Sequence, residues 1–198
     1  MSMVRALRTL TALENGTLTG AQLETQLSGS GARRGEFALL CASSGAAQRM
    51  AASSVTMTAV AASATAMAEF VKYTTCRMAA WGSDNALNAI KGSVTAMAAL
   101  RGAAGYAAVY SGLSSGTLDL GVSGKNYIVL GISNSMHGSG SVTLNTRRAL
   151  SAMAATLSPD GSPDPAAQDS NQATPVTGPV QVYQSHGYFW YGLLRCDL

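Results

Sequence analysis

Charge is scarce in this sequence: charged residues make up only 12% of 198 positions, and the formal balance is +3. The excess is slight and uneven, with nine basic and five acidic residues through Arg101 and four basic and five acidic after it. No basic run is longer than Arg33-Arg34 or Arg147-Arg148, and no aromatic residues interleave with them. A nucleic-acid surface needs both a basic stripe and stacking rings, so no nucleic-acid partner is expected. Cysteine is equally sparse. Cys41, Cys76 and Cys196 lie far apart with no CxxC pair, which excludes zinc-finger and thioredoxin-like chemistry; the odd count permits one intrachain bridge with a free thiol or an intersubunit bridge, and the favoured reading is three reduced thiols, two of them buried as small apolar side chains. The opening segment MSMVRALRTLTALENG has two arginines and no apolar core, so no signal peptide is expected. The nineteen uncharged residues between Arg49 and Glu69 contain no Leu, Ile or Phe, so membrane insertion is not expected either.

The chemistry of catalysis and cofactor binding is also thin. There are two histidines, His137 and His186. Ser185, His186 and Asp160 assemble a triad only on paper, because adjacent residues of a strand point to opposite faces. A lone histidine at a threefold axis can bind metal, but it reads more simply as a hydrogen-bonded structural residue. Asp160 and Asp164 lack calcium-loop spacing and sit in turn chemistry, and no phosphate-loop GxxxxGK[ST] occurs. No catalytic residue, metal ligand or cofactor is assigned.

What is present is a repeat. From Ala51 to Gly102 the chain reads in tens, with Met57, Met67, Leu87 and Met97 at the seventh place and Val60, Phe70, Ile90 and Leu100 at the tenth. The third place holds Ser53, Ser63, Ser83 and Ser93, while one copy looks slipped, with Met78 a place late and Trp81 at the next boundary. An α-helix advances about 100° per residue, so a stripe repeating every ten residues drifts by about 80° per repeat, against about 20° per heptad in a coiled coil. Either the helix is strongly underwound, or each serine ends one short helix and caps the next; S-x-T-A-M favours the second. Helices of about seven residues are marginal alone and must stack. An Ala-rich chain of this size promises a weak core, so stacking is expected across a homotrimer, with Met57, Val60, Met67, Phe70, Leu87, Ile90, Met97 and Leu100 as the packing residues. The slipped copy, carrying Tyr73 and Cys76 beside Trp81, is expected to mark a bend, a bulge or a contact.

Before the decads, Val4, Leu7, Leu10 and Leu13 predict an amphipathic helix over residues 3–14, and Thr19 with Gln22 predicts a capping box opening a second. Further short helices are expected near residues 32–42 and around Gln48-Arg49-Met50. After Gly102 alternation replaces helical period. Strands are expected at Tyr106–Tyr110, Thr117–Val122, Asn126–Ile132, Gly140–Asn145, Val180–Tyr183 and Tyr188–Leu194. Residues 147–157 read as a helix or another strand, with Ala and Met leaning to helix, and residues 158–178, with four of the five prolines, read as a long exposed loop. In the aromatic cluster near the C-terminus, alternation sends Tyr188 and Trp190 to one face and Phe189 and Tyr191 to the other. The fold expected is α+β: a helical docking head (1–50), a decad stalk of short helices (51–102) and a small, sandwich-like antiparallel β domain (103–198).

The segments SATAMAEF and SVTAMAAL after AASSVTMTAV, preceded by LENGTLTGAQLETQLSGSGARRGEF, resemble the AASSTAMAAV-type tandem repeats, with a similar leading segment, of structural and fibre proteins of tailed-bacteriophage virions. The resemblance covers residues 5–102. It implies a non-enzymatic, homo-oligomeric virion component, with an N-terminal part that docks on other virion proteins and a β domain displayed or used in assembly. Arg33, Arg34 and Phe37 are the docking candidates. The departing third copy and the short array favour a stubby fibre, collar or tail-associated protein over a long shaft. The alternative is a fibre-tip adhesin in which loop 158–178 and Tyr183, His186, Tyr188 and Trp190 bind a host-surface glycan.

Overall fold

The computed structural model describes residues 2–112, 115–136, 140–144, 153–157, 173–185 and 188–198. Helices occupy the first half and antiparallel sheets the second, so the protein is α+β. It divides into two compact units, Met1–Ala104 and Gly105–Leu198.

The helical unit comprises α1 (Met3–Glu14), α2 (Gly20–Ser28), α3 (Gly31–Ala42), α4 (Ser44–Ala52), α5 (Ser54–Ala62), α6 (Ala64–Phe70), α7 (Thr74–Trp81), α8 (Asp84–Lys91) and α9 (Val94–Arg101). The predicted capping box is present: Gln22 N–H donates to Thr19 Oγ1 at 3.3 Å and Thr19 N–H to Gln22 Oε1 at 2.9 Å. From α4 onward the N-caps are Ser43, Ser53, Ser63, Tyr73, Ser83 and Ser93, one every ten residues. Each cap sits in extended backbone, so the helix cannot run through it, and each serine hydroxyl accepts the amide three residues on.

Helices three apart in sequence pack together, α2 on α5, α3 on α6, α4 on α7, α5 on α8 and α6 on α9. Three decads therefore complete one turn, and the short helices lie in layers of three. The neighbours that the phase drift demanded come from the same chain. Buried positions recur accordingly: Met50, Val60, Phe70, Ala80, Ile90 and Leu100 at the tenth place, and Ala47, Met57, Met67, Arg77, Leu87 and Met97 at the seventh. The third decad is in register, with neither slip nor bulge. Arg77 stands where the others place an apolar side chain, and its guanidinium donates to Val71 O at 2.6 Å and Thr74 Oγ1 at 3.2 Å, which makes a buried cation tolerable there.

Nor is there a stalk apart from a head. α1 and α2 pack on α5, and α3 on α4 and α6, all inside one unit, because the first three helices form the layer on which the decads continue. The amphipathic face of α1 is shorter than expected. Ala6, Leu10 and Leu13 are buried, whereas Val4 and Leu7 are exposed.

The second unit holds β1 (Tyr106–Tyr110), β2 (Gly116–Leu120), β3 (Asn126–Met136), β4 (Gly140–Leu144), β5 (Met153–Leu157), β6 (Thr174–Thr177), β7 (Val180–Ser185) and β8 (Tyr188–Arg195). They form two four-stranded antiparallel sheets, β1-β8-β3-β6 and β2-β7-β4-β5. Tyr127, Val129, Ile132, Val176, Phe189, Tyr191 and Leu193 of the first sheet share a core with Leu120 and Val182 of the second. One open alternative is settled and one expectation is corrected. Residues 153–157 pair with β4 as a strand, where edge pairing overrides the helical leaning of Met and Ala. Residues 174–177, expected inside an exposed loop, pair with β3 and bury Pro175 and Val176; residues 158–172 lie outside the described residues.

Candidate functional site

The eight side chains expected to join subunits are all inside the helical unit. Met57, Val60, Met67 and Ile90 are fully buried, and Phe70, Leu87, Met97 and Leu100 are no more than 4% exposed in the single chain. The chain's own layers take up this surface, so an intersubunit seam through these residues is not what the fold uses.

The docking candidates separate. Phe37 is a core residue, 1% exposed, and drops out of any surface role, because it lies on the inward stripe of α3 with Leu40 and Cys41. Arg34 is exposed and donates to Leu27 O at 3.4 Å. Arg33 lines a cleft of about 430 Å³ whose walls come from α1, the turn after it, α2 and α3; Arg5, Arg8, Thr17 and Gln26 line it too. Arg33 Nη1 shares a 3.4 Å contact with Glu36 Oε2. Arg5 and Arg8 have no ion pair or hydrogen bond from their guanidinium groups among the described residues.

Glu14, Glu24 and Glu69 are engaged elsewhere. Glu14 holds Arg49 through contacts of 2.7 and 3.0 Å, and Glu69 holds Lys72 at 2.7 Å. Glu24 caps α6 from another helix: Oε2 accepts from Ser63 Oγ at 2.7 Å and Thr65 N–H at 2.8 Å, and Oε1 from Thr65 Oγ1 at 2.6 Å. The Thr65 hydroxyl and amide, then Ser63, hold the Glu24 carboxyl below its ordinary value. Sequence reasoning missed Arg5 and Arg8. Their signal is a like-charged i,i+3 pair on the outer face of α1.

The tip candidates do not converge on one surface. Tyr188 and Trp190 share a face of β8, opposite the buried Phe189 and Tyr191, as alternation predicted. They meet Tyr110 of β1, with ring centroids 6.0 Å from Tyr188 and 5.1 Å from Trp190. Tyr110, absent from the predicted set, is directly opposite Trp190 in the β1–β8 register and is 44% exposed. Tyr183, 55% exposed, belongs to β7 in the other sheet, and His186 lies outside the described residues.

All three cysteines are free and buried, one more than expected. Cys76 Sγ lies 3.6 Å from Cys41 O, and the Cys76 thiol together with burial pushes the Cys41 thiol well above its usual range. Among the described residues no group of three or more His, Cys, Asp or Glu could hold a metal ion, and no helix is long and apolar enough to cross a membrane. No protein-family model matches the chain, and no curated protein matches it.

Proposed function

We propose that this protein is a non-enzymatic structural component of a tailed-phage virion, in a fibre, collar or tail- or capsid-associated appendage. In this reading the helical unit attaches to other virion proteins, and the β unit is displayed or takes part in assembly. The resemblance of residues 5–102 motivates it. The observation that carries it is where the repeat's polar atoms go. Ser83 Oγ donates to Ala51 O at 2.5 Å and Ser93 Oγ to Ala61 O at 2.6 Å, each reaching back one layer while capping its own helix. Such hydroxyls serve as ties between layers, as a spacer requires.

Homotrimeric assembly belongs to the same proposal. Its contacts would fall on surfaces other than the eight buried side chains, and the exposed Val55 and Val94 are apolar candidates. Immunogold labelling of purified particles, with sedimentation equilibrium of the isolated chain, tests both parts. Gold at a defined particle position supports the virion reading; its absence from particles of a producing lysate counts against it.

The row of exposed Tyr110 with half-buried Tyr188 and Trp190 favours a second reading, an adhesin that stacks a host-surface glycan on aromatic rings. Trp190→Ala is the cleaner probe. Deleting residues 158–178 would also remove β6. Glycan-array binding lost in that variant supports the adhesin, and no binding by the intact protein refutes it.

A further inference from the structure

We propose that the cleft between α1, α2 and α3 is a docking site for an acidic, partly apolar polypeptide segment of a partner protein. The proposal rests on the reading that the helical unit attaches to another protein, and it names the surface and the chemistry of that attachment. Arg5 and Arg8 lie one turn apart on α1, where like charges repel by a few tenths of a kcal/mol. Arg33 of α3 faces the same cleft. Folding thus gathers three guanidinium groups around one hollow, while Glu14, Glu24 and Glu69 are held by Arg49, by Ser63 and Thr65, and by Lys72. Glu36, itself 4% exposed, contributes a carboxylate 3.4 Å from Arg33. Arg5 and Arg8 are left as open forks, suited to paired contacts with carboxylate oxygens.

Beside this charge lies apolar surface. Val4, 62% exposed, lies one turn before Arg8 on α1, and Leu7, 39% exposed, lies one turn beyond Val4 at the edge of the buried stripe. A free anion has no use for that apolar surface, and a nucleic acid would look for rings to stack on, of which α1 and the cleft have none. A segment carrying both Glu or Asp and Leu or Val satisfies the arginines and covers Val4 and Leu7 together.

The test is fluorescence anisotropy of the full chain with a fluorescein-labelled peptide of repeating Glu-Glu-Leu. Wild-type protein should bind saturably and more tightly as salt is lowered. Arg5→Glu with Arg8→Glu should weaken binding by at least about tenfold, as charge reversal at a contact does. Lys91→Glu, a single charge reversal at an exposed position of α8 outside the cleft, should leave it within about twofold. Arg5→Gln with Arg8→Gln, matched to wild type by circular dichroism, guards against a folding artefact and should also lose affinity. No peptide binding, equal loss on Lys91→Glu, or displacement by oligothymidylate or inorganic phosphate would overturn the proposal. Particle labelling tests the virion reading on its own, so the two can fail separately.

Discussion

Serine 93 allows the layer-to-layer ties to be weighed against capping alone. Its hydroxyl accepts from Ala96 N–H at 3.1 Å and donates to Ala61 O at 2.6 Å, so Ser93→Ala removes two bonds at once. Loss of an N-cap costs about 1 kcal/mol. Stripping a carbonyl of its partner costs about 1–3 kcal/mol, the lower end where water can reach it, as at half-buried Ser93. The expected loss is about 2 kcal/mol. Ser53 is the internal control. It caps α5 through Thr56 N–H at 3.1 Å, and its hydroxyl has no described bond to another layer, so Ser53→Ala should cost about 1 kcal/mol. Urea melts followed by far-UV circular dichroism should separate the two by about 1 kcal/mol, or about 4–8 °C in thermal midpoint for a unit of this size. Ser93→Thr keeps both bonds and should stay near wild type. Equal losses at positions 53 and 93 would refute the idea that the serines tie the layers.

Met67→Asp places an unpaired charge in the chain's own core, so it should unfold the helical unit rather than release folded subunits; a folded, dissociated variant in sedimentation with circular dichroism would contradict this. Gly20→Ala should cost about 1–3 kcal/mol, because a Cβ there would meet Ala62 Cβ at 2.7 Å and Ala59 O at 2.8 Å; an unchanged melt would mean that α2 and α5 separate freely. Glu24 titrates lower in the folded state than in the unfolded chain, so its contribution is complete at neutral pH and drains away as pH falls through and below the ordinary carboxylate range. Glu24→Gln should flatten that acid limb in melts across pH, and an unaltered limb would assign it to other carboxylates.

Much of the local structure was legible because it depends on neighbours in sequence. Thr19 and Gln22 carry a capping box at the spacing its geometry requires, serines at ten-residue intervals stop and restart helices, and alternation from Tyr188 to Tyr191 sorts inward from outward rings. Less was legible wherever a partner came from far along the chain. Residues 153–157 look helical until β4 pairs with them, and residues 174–177 look like loop until β3 does. The third decad looked slipped because Met78 was matched by residue type; position shows Arg77 in the buried place, its charge met by a carbonyl and a hydroxyl. Of the candidate site, Arg33 was legible and Phe37 misleading, since an aromatic on a helix signals burial as readily as contact. Arg5 and Arg8 gain meaning only when α2 and α3 wall a cleft beside them.

The sequence by itself determined that a short helix must form in each ten-residue repeat and must stack, because caps are local and the drift of a ten-residue stripe is a property of the helix. Only the tertiary structure decided what they stack on. A chain that turns once every three decads brings each helix onto the one three places back, within reach of a serine hydroxyl. The apolar stripe is thereby spent inside the molecule, and the charged flank of the first helix is left facing outward.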